Sequence, residues 1–304
     1  MTTLSDLVSE GILSEGVSLA PLTTYRVGGP CRFFGLIENS SDLVSVARAL
    51  REDPVPVLVL GRGSNVVVSD RGWNGLVIRL SGDYNEAHFE DDGRLKVGGA
   101  MPLPAVARLA ARLGRGGLEF LVGIPGSMGG AVHQNAGCHG SEIIDVLVTA
   151  EILDLRSGAT DSRSARELDL AYRHSNLTPS EVVTEATLRT VPSSRKDAEA
   201  IMRDISRWRR ENQPGGTHNA GSVFKNPEED AAGRIIDQLG LKGFRVGGVA
   251  VSERHANFFV ADEGASAQEI HDLVMAVQEK VLAATGIRLT PEIRFVGEFE
   301  ETGA

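Results

Sequence analysis

From Ser40 to Arg51 apolar residues return every three or four positions, and the helix this predicts carries Leu43, Val46, Ala47 and Leu50 on one face. Pro104–Leu113 repeats the pattern with Val106, Leu109, Ala110 and Leu113, and Gly114 follows as a C-terminal cap. Arg195–Asn212 places Ala198, Ile201, Ile205 and Trp208 along one stripe before Gln213-Pro-Gly-Gly216 breaks it. A short helix is expected at Ala231–Leu239. A long one starts at Ser266, where Ser266 and Glu269 make a capping box; it carries Ile270, Leu273, Val274, Val277 and Val281 inward and stops at Gly286. Methionines and aromatic residues on these helices are assigned to the core.

Between the helices lie short runs with strand character. Residues 20–37 read as a turn between two strand-like pieces, and Val55–Leu60, Leu76–Leu80 and the run beginning at Leu95 are strands. Tyr84–Asp92 is polar and acidic, a connection or an exposed hairpin. Val148–Leu155 and Glu181–Val191 are expected to pair antiparallel, with a turn at Arg156-Ser-Gly158 and a polar loop at Leu170–Asn176. Further strands fall at Gly248–Val251, Asn257–Ala261 and Pro291–Phe295. No internal repeat interrupts this order.

Two stretches depart from both periods. Leu118–Gly140 holds six glycines among apolar residues, and Gly61-Arg-Gly-Ser-Asn65 follows the apolar run from Val55. Glycine costs backbone entropy, so its density asks for a reason, and close approach of a ligand to the main chain is one. Ser127 with the amides of Gly126, Gly129 and Gly130 would offer a concave row of donors for a pyrophosphate. A dinucleotide lying across both loops follows. The nucleotide fingerprint that joins a strand to a helix through three spaced glycines is excluded: Ser-Asn-Val-Val-Val after Gly63 is strand, and the third glycine is missing. Gly129-Gly-Ala-Val132 opens no clean helical stripe. A turn-rich β-protein is the alternative that glycine content alone leaves open.

Composition narrows the classes. Three hundred and four residues allow two or three domains, and 41% hydrophobic with 24% charged residues is ordinary for a soluble chain. A net charge of −10 disfavours nucleic acid, though a local basic pocket for a phosphorylated ligand stays open. Cys31 and Cys138 form neither a disulfide framework nor a metal-ligand spacing, which fits a reducing compartment, and no metal is expected. No signal peptide or membrane-length apolar run is present, so a cytoplasmic protein that does not engage the membrane is expected.

Seven segments in order resemble the UDP-N-acetylenolpyruvoylglucosamine reductase family: Thr23–Pro30, Gly61–Asn65, Leu118–Gly140, Tyr172–Ser175, Gly221–Pro227, Val251–Asn257 and Pro291–Arg294. The short Tyr172–Glu181 connection resembles its compact subclass, without the longer form's substrate-covering loop. The resemblance implies an α+β fold: two FAD-binding subdomains of the vanillyl-alcohol-oxidase type, at 1–82 and 83–194, and a C-terminal α+β substrate-binding domain at 195–304. It also implies a monomer with FAD as cofactor and NADPH as hydride donor. The implied reaction is reduction of a nucleotide sugar, the enolpyruvyl ether of UDP-N-acetylglucosamine, to UDP-N-acetylmuramate for peptidoglycan. Flavin contacts would come from Gly61, Gly63, Ser64, Asn65, Gly123, Ile124, Pro125, Gly126, Ser127, Gly129, Gly130, Asn135, Ala136, Gly137 and Arg294. Arg62, Gln134, Cys138 and His139 depart from the family pattern beside these loops.

The resemblance implies hydride transfer from the reduced flavin to the enolpyruvyl methylene carbon, then protonation of the adjacent carbon. The charge that develops spreads into the substrate carboxylate, which an arginine fork suits. Arg173 matches that arginine, Ser222 the proton donor, and Glu292 the carboxyl group across the intermediate. Tyr172, Lys225, Asn226 and His255 match substrate contacts. Taken singly, Arg173 reads as a structural arginine, Ser222 as a turn residue, Glu292 as a pair partner in the last strand and Lys225 as a solvated lysine. His255 touches substrate or caps a strand; His88, His218 and His271 read as surface residues. Two other readings remain open at this point, a flavin-dependent paralogue acting on another nucleotide sugar and a non-catalytic flavin- or nucleotide-binding regulator.

Overall fold

The computed structural model describes residues 2–300, and its contacts divide the chain into two compact units. The first takes in residues up to Gly16, Arg32–Arg62 and Gly75–Arg209; the second takes in Val17–Cys31, Gly63–Asn74 and the chain from Arg210 on.

The first unit has two cores. One lies on a five-stranded antiparallel sheet, ordered Thr160–Ser164, Leu147–Asp154, Glu181–Leu188, Leu95–Gly98 and Ala87–Phe89. The polar stretch after Tyr84 is thus a hairpin edge. Thr160–Ser164 carried no signal because Thr-Asp-Ser-Arg-Ser has no apolar alternation; its pairing with Leu147–Asp154 makes it a strand. Leu103, Val106, Ala107, Ala110 and Ala111 of the Leu103–Arg112 helix fill this core. Leu113, expected inward, is 59% exposed, because the helix has ended there and Gly114 turns the chain at φ +73°. The second core joins the Leu4–Ser9 and Ser40–Glu52 helices to Phe33, Ile37, Leu76 and Ile78. Val57–Val59 runs parallel to Leu76–Ile78 beside it.

The Arg195–Asn212 helix forms over its full expected length, rotated from the expected face. Ala198, Met202 and Ile205 are buried, while Ile201 is 49% and Trp208 45% exposed. Two neighbouring stripes share Ala198 and Ile205, and Met202 rather than Ile201 completes the one that reaches the core. Trp208 is therefore no core aromatic; it meets the His139 ring edge-on at 5.1 Å.

The second unit is built around the Ala267–Thr285 helix. Its capping box and its left-handed terminus at Gly286 (φ +75°) form as expected. Ile270, Leu273, Val274, Val277 and Val281 pack against the antiparallel strands Arg245–Val246, Val249–Val251 and Phe259–Ala261 and against the Ala232–Gln238 helix. Val66–Val68 pairs parallel with Arg294–Val296. The last strand starts three residues later than its sequence suggests: Pro291 has no N–H to donate, and the Glu292 amide donates to Val223 instead of a ladder. His271, expected at the surface, is stacked on Phe299 at 5.0 Å and meets Phe295 edge-on, with its side chain 19% exposed. Among the described residues no helix is long and apolar enough to cross a membrane.

Candidate active site

In the first unit the two glycine-rich stretches touch. A Cβ at Gly61 would stand 2.5 Å from Ser127 Oγ, so this junction has room for a hydroxyl and main chain only. Ser127 caps a Met128–His133 helix, its Oγ accepting from the Gly130 amide at 3.4 Å. This helix corrects the expectation of no helix at Gly129–Val132; with two glycines in six residues, only the cap and the burial of Met128, Ala131 and Val132 sustain it. The donor row is shorter than expected, because the Gly129 amide donates to the Gly99 carbonyl at 2.8 Å and the Gly130 amide to Ser127 Oγ. Ile124 and Pro125 lead into Gly126, whose carbonyl accepts from Leu103. Gly123 makes room for Cys138: a Cβ there would approach Sγ to 2.7 Å. Burial pushes the Cys138 thiol up to about 11 against the pull of Arg209 and Arg173.

Asn135 is fully buried with φ +41°, and each polar atom of its side chain has a partner in the chain. Its Nδ2 donates to Glu142 Oε2 and to the Ala171 carbonyl, both at 3.0 Å, and its Oδ1 accepts from the Ile144 amide at 2.9 Å. Ala136 continues into a hairpin that sets Gly137 opposite Glu142. Arg173 lies in the turn closed by the Ala171–His174 bridge, with φ +52° and a side chain 17% exposed. Its guanidinium donates to Glu142 Oε1 at 3.3 Å and to the Gly137 carbonyl at 3.2 Å, and lies 4.9 Å from the centre of the Tyr172 ring.

In the second unit Gly63 adopts φ +63°, and a Cβ there would strike the Leu22 carbonyl; its own carbonyl accepts from Thr24. Ser64 follows. Asn65 grips the chain beyond: its Nδ2 donates to the Glu292 carbonyl at 3.1 Å, and its carbonyl accepts from the Arg294 amide at 3.0 Å. The Arg294 side chain is exposed.

Ser222–Lys225 is an extended segment pinned on both sides. Val223 bonds to Asn257 and Glu292 through its amide and carbonyl, Phe224 bridges Pro291, and the Lys225 amide donates to Thr290. Glu292 therefore lies opposite Val223, one residue from Ser222. Buried Asn257 closes the arrangement, its Oδ1 accepting from the Phe224 amide at 2.9 Å and its Nδ2 donating to the Phe224 carbonyl at 2.8 Å. Neither motif periodicity nor charge singled out Asn257; its place two residues after His255 in a polar turn was the available signal. The His255 Nδ1 accepts from the Asn257 amide at 3.2 Å. Burial lowers its pKa from 6.5, consistent with a neutral acceptor. Asn226 Oδ1 accepts from Ala232 at the start of the Ala232–Gln238 helix. The structure thus groups Tyr172 and Arg173 with Glu142 and Asn135 in one unit, and Ser222, Lys225, Asn226, His255 and Glu292 in the other.

A junction with room only for main chain and the Ser127 hydroxyl fits the close approach of a dinucleotide's pyrophosphate, and residues 33–160 match the family described as FAD binding domain. The class is that of a flavoprotein, with an FAD-binding fold of the vanillyl-alcohol-oxidase type and a C-terminal α+β domain. Residues 213–296 match the family described as UDP-N-acetylenolpyruvoylglucosamine reductase, C-terminal domain. The chain is 41% identical to the UDP-N-acetylenolpyruvoylglucosamine reductase of Synechococcus sp. (strain JA-3-3Ab), covering 96% of this chain and 93% of the relative. It is 38% identical to that of Caulobacter vibrioides, covering 95% and 96%. The crystal structure of the reductase from Thermus caldophilus superposes with a TM-score of 0.81 at 36% identity, over 93% of this chain and 98% of that one. The chain belongs to the UDP-N-acetylenolpyruvoylglucosamine reductase family.

Proposed function

We propose that this protein reduces UDP-N-acetylenolpyruvoylglucosamine to UDP-N-acetylmuramate with FAD as cofactor and NADPH as electron donor, in peptidoglycan precursor synthesis. Family membership across almost the whole chain supports the reaction. The observation that carries the residue assignment is the pinned Ser222–Lys225 segment, whose backbone pairs with Pro291–Glu292. When bound, FAD would supply the hydride chemistry that links NADPH to the enolpyruvyl methylene carbon. Gly61, Ser127 and the neighbouring main chain of the first unit would hold its pyrophosphate.

Arg173 binds the substrate carboxylate and stabilises the charge that spreads into it. Ser222 gives its hydroxyl proton to the adjacent carbon; a hydroxyl is a weak acid, and it serves here because a carbanionic partner is strongly basic. Glu292 matches the family's carboxyl group, whose part in stabilising the intermediate needs the protonated form or a bridging donor. Lys225 meets the diphosphate, and Tyr172, Asn226 and His255 contribute to the sugar and nucleotide pocket.

The test is an anaerobic stopped-flow experiment on the purified flavoprotein. Addition of NADPH bleaches the flavin band, and UDP-N-acetylenolpyruvoylglucosamine then restores it. Recovery with a different nucleotide sugar but not with this one overturns the substrate assignment. A colourless chain that takes up no FAD overturns the reaction altogether.

A further inference from the structure

Arg173 is held by a carboxylate of its own chain, and that carboxylate is itself held. Glu142 Oε1 accepts from the Arg173 guanidinium while Glu142 Oε2 accepts from Asn135 Nδ2. Asn135 cannot turn over, because its Oδ1 is committed to the Ile144 amide and its other Nδ2 hydrogen to the Ala171 carbonyl. The links form a ring: Ala171, Asn135, Glu142, Arg173, and back along two residues of backbone. The ring holds a non-glycine residue in a left-handed conformation, strain of the kind that clusters where side-chain direction matters. The hairpin supplies two guanidinium contacts, since Gly137 opposite Glu142 also accepts an N–H. A Cβ on Gly137 would stand 2.5 Å from Glu142 Cγ, so that glycine clears the space the carboxylate occupies.

We propose that Glu142 is a positioning residue for the reduction, fixing the Arg173 guanidinium so that the substrate carboxylate meets a donor already oriented. This rests on the reading of Arg173 as the carboxylate-binding group. The Glu142 contact is end-on through one nitrogen and lies at the long end of hydrogen-bond range, the geometry of an aligning partner rather than of a bidentate competitor. Two donors converge on its two oxygens, so a carboxylate is required. A glutamine offers one acceptor oxygen and would turn an N–H toward either Asn135 or Arg173.

The test compares Glu142→Gln, Glu142→Asp, Arg173→Ala and the double variant Glu142→Gln/Arg173→Ala as loaded flavoproteins. Glu142→Gln is expected to slow flavin reoxidation by UDP-N-acetylenolpyruvoylglucosamine by about 10–100-fold, the loss that misplacement of a group by about 1 Å produces. Flavin reduction by NADPH, flavin content and thermal melting are expected to stay close to wild type. Glu142→Asp, which keeps both acceptor oxygens, recovers part of the rate. On the Arg173→Ala background Glu142→Gln adds almost nothing, because the residue acts through Arg173. An equal loss on both backgrounds, or a wild-type rate in Glu142→Gln beside a slow Arg173→Ala, overturns the inference and leaves the role of Arg173 standing. A wild-type rate in Arg173→Ala removes that role and the inference with it. Should Glu142→Gln fail to retain flavin, Glu142→Asp and Glu142→Asp/Arg173→Ala are compared instead: a partial loss that vanishes on the Arg173→Ala background supports the inference, and an equal loss on both backgrounds, or none on either, overturns it.

Discussion

Asn257 closes the Ser222–Lys225 segment with two hydrogen bonds to Phe224, and replacing it separates two physical effects. Asn257→Ala leaves a buried amide and a buried carbonyl of Phe224 unpaired. Each such orphan costs about 1–3 kcal/mol, and the small void adds to it, so the loss is roughly 3–5 kcal/mol. That is a large share of a typical domain's 5–15 kcal/mol or so. Asn257→Asp keeps the acceptor for the Phe224 amide but, once ionised, sets a second oxygen against the Phe224 carbonyl. Protonated, the introduced carboxyl donates to that carbonyl and restores both bonds. Its folded pKa therefore lies above the unfolded value of about 3.9. The stability it contributes is complete below that value and is lost as pH rises through the raised one. A rise of 2–3 units makes the loss about 3–4 kcal/mol by pH 8. The assay is urea unfolding of the full chain from pH 4.5 to 8 in a Trp208→Phe background. Trp73, the one tryptophan then left, reports from the second unit. A loss below about 0.5 kcal/mol for Asn257→Ala at unchanged slope, or a pH-independent difference between Asn257→Asp and the parent, refutes the reasoning.

Ser222→Ala should lower the substrate half-reaction by roughly 10²–10⁴-fold and leave flavin reduction by NADPH untouched; equal loss in both steps removes Ser222 as proton donor. Gly63→Ala should cost more stability than Gly61→Ala, as judged by melting. The first forces an L-residue to φ +63° against a fixed carbonyl, whereas the second displaces a Ser127 hydroxyl that can rotate at the expense of a cap worth about 1 kcal/mol. Cys138, with its thiol raised to about 11, should resist a thiol-specific disulfide reagent at pH 8 in the folded state and react on unfolding. For Glu181, burial raises its carboxyl, but the Thr178 amide and Arg163 outweigh that and hold it below 4.5. Its contribution is present above that value and is lost as pH falls, so Glu181→Gln should destabilise at pH 7 and progressively less as pH drops below about 4.5.

The parts of this fold most legible in the sequence were those where one local rule decides. Ser266 with Glu269 and the glycine at 286 bounded the long helix, and its five inward residues were identified from spacing alone. The other long helix shows the limit: Ile201 and Met202 are a residue apart and equally apolar, and only the partner surface selects between them. Thr160–Ser164 was silent because an edge strand with exposed polar residues needs no hydrophobic alternation. At the site, the glycines spoke for close approach without naming what approaches. Gly61 faces a serine hydroxyl, Gly123 a thiol and Gly137 a glutamate side chain. Asn135 was expected to serve a cofactor, yet its side chain serves Ala171, Glu142 and Ile144, a commitment invisible without the long-range pairing.

The parallel pairing of Val66–Val68 with Arg294–Val296 sets a timetable for biosynthesis. A strand of three valines leaves the ribosome long before the strand it must pair with. At roughly 5–20 residues per second, the interval is on the order of 10–45 s. Throughout it the nascent chain carries an unpaired, strongly β-forming segment, and the second unit cannot close around its long helix until Arg294–Val296 has emerged. Slowing translation ahead of that helix would lengthen the exposure, and a holdase chaperone bound near Val66 would shorten its consequences.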